Sequence, residues 1–361
     1  MFSDIFSTTI WSNTICIIGL LYSIYLCSLS NNKLLQGTSN KFFPIIFVLL
    51  VTLYIGTRPL WCYADTYLYT QIFDLVQSGQ WSEIPNNNEP FFLFIEYICI
   101  DFTTASKWLL VIASFYVIGM SIAVHRLLPK HFFLAIIFLF TAFSFWGYAT
   151  NGIRNGMATS IALLGLSYFY RGKISFIIGY CILLVAVLTH TSVLLIIVAA
   201  SVALFLKKTN QNLTIWLISI IIGLLFQEQF KSLFTGFIDD ERLAYYLNQE
   251  VDKNLFSSTG FRWDFIIYSA MPILLGWYTI IRKGITDKTY QFLLHTYIFA
   301  NAFWILINTA TYSNRVAYLS WFLYPILLAY PLCKFNIFKQ QGLVIGLILV
   351  AQILFTYIME I

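Results

Sequence analysis

The sequence predicts an all-α, polytopic integral membrane protein of about twelve transmembrane helices plus one short re-entrant or interfacial segment. Three observations predict it. Of 361 residues, 59% are hydrophobic and only 10% are charged, against about 25% charged in an ordinary soluble domain. Apolar runs of roughly 16–20 residues, enough to cross a hydrocarbon core about 30 Å thick, recur along almost the whole chain. An outer-membrane barrel would instead show strands of about 10 residues alternating apolar and polar.

Taken in order, the spans are expected at 11–29, 42–57, 107–125, 131–149, 153–170, 174–189, 191–206, 213–230, 264–281, 288–308, 315–333 and 341–359. The N-terminus shows no basic region and no cleavage site, so its first apolar run is read as a retained span. The stretch 91–101 is apolar but too short to cross, which marks the re-entrant or interfacial piece. The run 174–206 is too long for one span and is flanked by basic residues at both ends. It must turn in its middle, at "LTHTSV", which puts His190 at the opposite face.

Lysines and arginines orient the chain, because short inner loops retain them. With the N-terminus outside, Lys33, Lys41, Arg126, Lys130, Arg171, Lys173, Lys207, Lys208, Arg282, Lys283, Lys288, Lys334 and Lys339 all fall inside. The net charge of +5 therefore serves topology and signals no nucleic acid. Two outer loops have substance, 58–90 and 231–262, and in the first Leu68, Ile72, Leu75 and Val76 suggest a helix lying in the interface. No domain boundary is visible, and residues 1–361 read as one transmembrane domain. The six cysteines are scattered among apolar runs as small hydrophobes, with no metal or disulfide spacing.

Under this topology Arg58, Asp65, Glu89, Arg154, His190, Arg242 and Arg315 share the outer side. Charges at bilayer depth cost about 2.5–3.5 kcal/mol on insertion scales, so such groups are functional candidates. Arg154, in "YATNGIRNGMATS", opens an apolar helix that Asn151 or Asn155 can cap. A helix N-terminus with a forked guanidinium suits a phosphate or diphosphate. The alternative is packing: Gly152, Gly156 and Ser160 form a small-residue seam, with Arg154 reaching to the headgroups. Arg315, in "ATYSNRVAYLSWF", repeats the arrangement or anchors an interface. Asp65 suits a general base or a helix N-cap, and His190 a proton carrier or a group that satisfies backbone at the break. His125 and His131 read as inner-loop charge, and His295 as an intramembrane residue with no visible partner. Tyr69 and its aromatic neighbours suit sugar stacking as well as an interfacial belt. Walker, GxSxG, HExxH and in-context GxGxxG motifs do not occur, which removes support for nucleotide hydrolysis, serine hydrolysis and zinc chemistry.

The stretches "GTRPLWCYADTYLYTQIF", "EPFFLFIEY", "NGIRNGMATSIALLGLSYFYRGK", "LTHTSVLLI", "ERLAYYL" and "NRVAYLSWFLYP" occur in that order along the chain. Together, and in the same order, they resemble the EpsG family of membrane proteins, akin to Wzy-type polysaccharide polymerases. Where the family typically has arginine-glutamine, this chain has Arg154-Asn155; where it often has glycine before its aspartate, this chain has Ala64. The resemblance implies a multi-pass protein of the bacterial cytoplasmic membrane. It further implies a metal-independent glycosyltransferase without cofactor, acting on polyprenyl-diphosphate-linked oligosaccharide repeat units. Arg154 and Arg315 are then expected on the diphosphate, His190 or Asp65 as base, and Arg58, Asn155, Arg242 and Tyr69 on substrate. The bilayer, a chain-length regulator and a flippase are the expected partners. A flippase or an O-antigen ligase handling the same lipid-linked glycan is the competing expectation.

Overall fold

The computed structural model describes residues 7–38, 40–80, 89–226, 229–230, 260–309 and 313–360. These residues are almost entirely helical, with no strand among them. Five helices are long and apolar enough to cross a bilayer: Thr8–Cys27, Ala105–Leu127, Trp263–Arg282, Ser313–Lys334 and Gln341–Met359. A sixth arises if the bent pair Pro129–Phe140 and Phe143–Thr150 is counted as one, and four more apolar helices are shorter. The chain is thus a helical membrane protein. Of the roughly twelve expected spans, five or six are thus long and apolar enough to cross by themselves among the described residues, and other expected segments form shorter helices.

The chain forms two compact units, 1–194 with 328–361, and 195–327. In the first, α1 (Thr8–Cys27) pairs with the last helix, α17 (Gln341–Glu360), and the small α2 (Asn31–Gln36) follows. The longest helix among the described residues, α6 (Ala105–Leu127), runs about 34 Å at 1.5 Å per residue. It packs against α3 (Phe42–Gly56) and α9 (Ile153–Leu166), and α9 packs in turn against α10 (Lys173–Thr189). The small-residue seam is used here: Ser160 donates to the Phe115 carbonyl at 2.6 Å, and a Cβ on Gly156 would come within 2.6 Å of the Tyr148 carbonyl oxygen.

Two short helices lie beside this bundle. Helix α4 (Ala64–Gln77) buries Thr66, Thr70, Phe73 and Val76 and leaves Leu68 and Leu75 exposed. The expected apolar face is therefore split, because Val76 turns inward with Phe73 while Leu68 and Leu75 point out. Helix α5 (Pro90–Phe102) opens with proline, whose missing N–H is harmless at that position, and at 13 residues is about 20 Å long. Phe73, Val76, Phe92, Cys99, Ile100, Trp108 and Met157 join α4, α5, α6 and α9 in one apolar cluster.

Helices α7 (Phe132–Phe140) and α8 (Phe143–Thr150) meet at a 74° bend. A break inside an apolar span leaves carbonyls without partners. Here Gln352 of α17 donates to the Phe138 carbonyl and to Thr141 Oγ1, both at 2.7 Å, and Thr356 donates to the Thr141 carbonyl at 2.9 Å. On the other side of α10, His190 is extended (φ −156°, ψ 123°), a 3-10 turn Thr191–Val193 follows, and α11 (Leu194–Phe205) begins. The turn expected at "LTHTSV" is present.

The second unit holds α12 (Thr209–Leu225), α13 (Trp263–Trp277), α14 (Lys288–Leu306) and α15 (Ser313–Trp321), and α16 (Tyr324–Lys334) begins in it. Asn301 anchors its polar core, donating to Ser269 Oγ at 3.1 Å and Ser320 Oγ at 3.0 Å while accepting from Trp216 Nε1 at 2.8 Å. His295, which sequence left without a partner, meets Thr209 Oγ1 at 3.1 Å.

Candidate functional site

The site grows from the break at Asn151 and Gly152 between α8 and α9. Helix α9 starts at Ile153 after Gly152, and no side chain caps it. The two asparagines therefore do not cap α9, contrary to expectation, and act as cross-links instead. Asn151 Oδ1 accepts the backbone N–H of Asp65 at 3.2 Å, and Asn155 Oδ1 accepts the Ser192 hydroxyl at 2.7 Å. The end of α8 at this break is also held from α3 and α4. Thr66 Oγ1 donates to the Thr150 carbonyl at 2.5 Å, and Arg58 donates to Thr66 Oγ1 through Nη2 at 2.9 Å and to the Ile55 carbonyl through Nη1 at 2.8 Å. Arg58 is only 3% exposed, and burial pushes its guanidinium down to about 10.

Arg154, the second residue of α9, does not reach outward. Its Nη1 donates to Glu89 Oε2 at 2.5 Å, and its guanidinium carbon sits 5.0 Å from the centre of the Tyr69 ring. The other carboxylate oxygen, Glu89 Oε1, is in ion-pair contact with His190 Nδ1. The three side chains are 13% (Arg154), 19% (His190) and 6% (Glu89) exposed. Glu89 precedes Pro90 at the mouth of α5, where an acidic side chain would ordinarily cap its own helix. It makes no such bond and is turned instead toward α9 and the end of α10. Burial works to raise its carboxyl, but the His190 and Arg154 contacts outweigh this and hold it below the usual range.

The packing thus brings Arg154, Asn155, His190 and Tyr69 into one cluster, with Asp65 tied to its edge through Asn151. Arg58 is bonded to Thr66, which itself donates to the Thr150 carbonyl at the end of α8, and to the Ile55 carbonyl. Arg315 is the third residue of α15 in the second unit, and Arg242 lies outside the described residues, as does most of the loop expected over 231–262. Asp65 is not an N-cap, since that position belongs to Tyr63.

Sequence reasoning placed Glu89 on the outer side without giving it a role. The signal available was a carboxylate directly before Pro90 and an apolar run. A second carboxylate, Glu96, lies on the inward side of α5 with Phe92, Cys99 and Ile100, and burial pushes its carboxyl up to about 7 despite the opposing pull of Arg154. Chemically, the arrangement offers a guanidinium for anionic oxygen and an imidazole held by a carboxylate. Among the described residues, no group of three or more His, Cys, Asp or Glu side chains is placed to hold a metal ion.

A polytopic helical membrane protein with a buried Arg–Glu–His cluster at a helix start is the class that this fold and site define. The EpsG family matches residues 40–360, nearly the whole chain, and the protein belongs to that family. Its setting is accordingly membrane-bound and associated with exopolysaccharide. Comparisons with curated proteins and with solved structures gave no match.

Proposed function

We propose that this protein is a membrane polysaccharide polymerase that joins polyprenyl-diphosphate-linked oligosaccharide repeat units on the outer face of the bacterial cytoplasmic membrane. One membrane domain, with short helices completing the twelve-pass path, carries the reaction. The anomeric carbon of the growing chain bonds to a hydroxyl oxygen on the next unit. The bond from that carbon to the lipid diphosphate breaks with its electron pair on the leaving oxygen, and the hydroxyl proton passes to a base. Such chemistry needs a cationic partner for the departing diphosphate and a positioned base.

The observation that carries this reading is the Glu89 carboxylate bridging Arg154 and His190 within one buried cluster. Arg154 suits the diphosphate because its planar fork stays charged and pairs with two oxygens. Arg315 is assigned the same ligand chemistry on the strength of its own place near a helix start. A flippase or ligase handling the same glycan is the competing function.

The test is the surface-glycan ladder of a strain lacking the gene, beside strains restored with wild type and with Arg154→Ala. Collapse to a single repeat unit in the deletion, restored by wild type and not by Arg154→Ala, is the expected result. Loss of all surface glycan would point to a flippase or ligase, and an unchanged ladder would sink the reading.

A further inference from the structure

We infer that Glu89 is a positioning residue that makes His190 the general base of this site; the inference rests on the polymerase reading and selects between its two candidate bases. An imidazole presents one nitrogen to the reaction only when the other is held. His190 Nδ1 lies in ion-pair contact with Glu89 Oε1, which leaves Nε2 as the nitrogen free to accept a proton. The same carboxylate is fixed at its other oxygen by Arg154 Nη1, so it cannot rotate away without losing that bond. The backbone that carries His190 is fixed independently, because Ser192, two residues on, donates to Asn155 at 2.7 Å. Residues from the mouth of α5, the first turn of α9 and the end of α10 thus converge on one ring orientation.

Asp65 is tied to the edge of the cluster through its backbone. It lies in the first turn of α4, where its backbone N–H is bonded to Asn151. In the reaction, His190 Nε2 takes the proton of the acceptor sugar hydroxyl as that oxygen bonds to the donor's anomeric carbon. Glu89 stays ionised throughout and balances the imidazolium that forms. The lipid diphosphate leaves with the electron pair of the broken bond. Arg154 then has two duties, since Nη1 restrains Glu89 while the rest of the guanidinium faces the same cluster.

The experiment is a double-mutant cycle on purified full-length protein, using as substrate the lipid-linked repeat units that accumulate in the deletion strain. Wild type must first elongate them; failure there removes the polymerase reading itself. With wild type active, Glu89→Gln and His190→Ala are each expected to lower kcat by roughly 10²-fold or more, with KM nearly unchanged. The pair together is expected to lose no more than His190→Ala alone, because residues that act as one unit are not additive. A merely structural Glu89 gives losses that multiply and a KM that rises. Multiplying losses, or wild-type kcat in His190→Ala, overturns the proposal. If Glu89→Gln does not fold, Glu89→Asp, which keeps the charge on a shorter arm, completes the cycle with the same expected non-additivity.

Discussion

Asn155 accepts the Ser192 hydroxyl at 2.7 Å, and this bond ties the first turn of α9 to the turn that follows His190. Asn155→Ala leaves the hydroxyl without this partner and frees the backbone that carries the imidazole. A loss of about 1 kcal/mol of stability is expected, with polymer yield falling by more than that small change explains. Glycan ladders read beside melting curves in detergent check it; full-length ladders from Asn155→Ala would show that His190 does not depend on this tie.

Arg154→Lys keeps a positive charge but replaces a planar fork by a single ammonium. The variant cannot hold Glu89 and a substrate oxygen in the same geometry. A large loss of polymer is expected, with folded protein present at near wild-type level, measured as ladder length against protein in the membrane fraction. Normal ladders would leave Arg154 with packing alone.

Glu89 gives the cluster a defined acid sensitivity. Its folded carboxyl is held below the ordinary value of 4.5. A depressed carboxylate contributes stability that is present above the unfolded value and is lost as pH falls through the folded one. Wild type is therefore expected to lose stability below about pH 4.5 more steeply than Glu89→Gln, which has no proton to take up. Melting temperatures from pH 3 to 7 decide it, and parallel curves would place the acid-sensitive contact elsewhere.

Glu96 has the opposite sign. Its carboxyl is pushed up to about 7 from 4.5, so the folded state retains a proton that the unfolded state gives up. Stability attributable to Glu96 is unaffected below the unfolded value, falls as pH rises between the two, and is lowest above the folded one. Glu96→Gln is expected to match wild type at pH 4 and to melt higher at pH 8. A lower melting point at pH 8 would mean that the ionised carboxylate has a favourable partner.

Arg58 and Thr66 are expected to act through stability. Thr66→Val removes the acceptor of Arg58 Nη2 and the donor to the Thr150 carbonyl. Leaving a buried charged donor without its acceptor costs about 1–3 kcal/mol or more. Less folded protein is expected, with the KM of the surviving fraction near wild type. A raised KM in well-folded protein would return Arg58 to substrate contact.

Much of the helical layout was legible along the chain, because each signal is local. Apolar length marked the helices, the shortness of the run after Pro90 marked α5, and His190 between two basic-flanked ends marked the turn after α10. Crossing number was less legible: α10 is an apolar helix of only 17 residues, and α9, at 14 residues, opens on Arg154 and Asn155. The role of the asparagines beside Arg154 was not legible at all, since an asparagine next to a helix start reads as a cap whether or not it bonds elsewhere.

By itself the sequence determined that the chain is helical and membrane-bound, because hydrophobic length and scarcity of charge are properties of consecutive residues. It also determined which polar groups are costly enough to need partners. Only the tertiary structure decided those partners. Glu89 and Arg154 are 65 residues apart, and His190 is farther still. Nothing in the local pattern of any of the three selects the other two. They meet because α4, α5, α6 and α9 share one apolar cluster and α10 packs on α9. That packing leaves a carboxylate, a guanidinium and an imidazole where burial makes each dependent on the others.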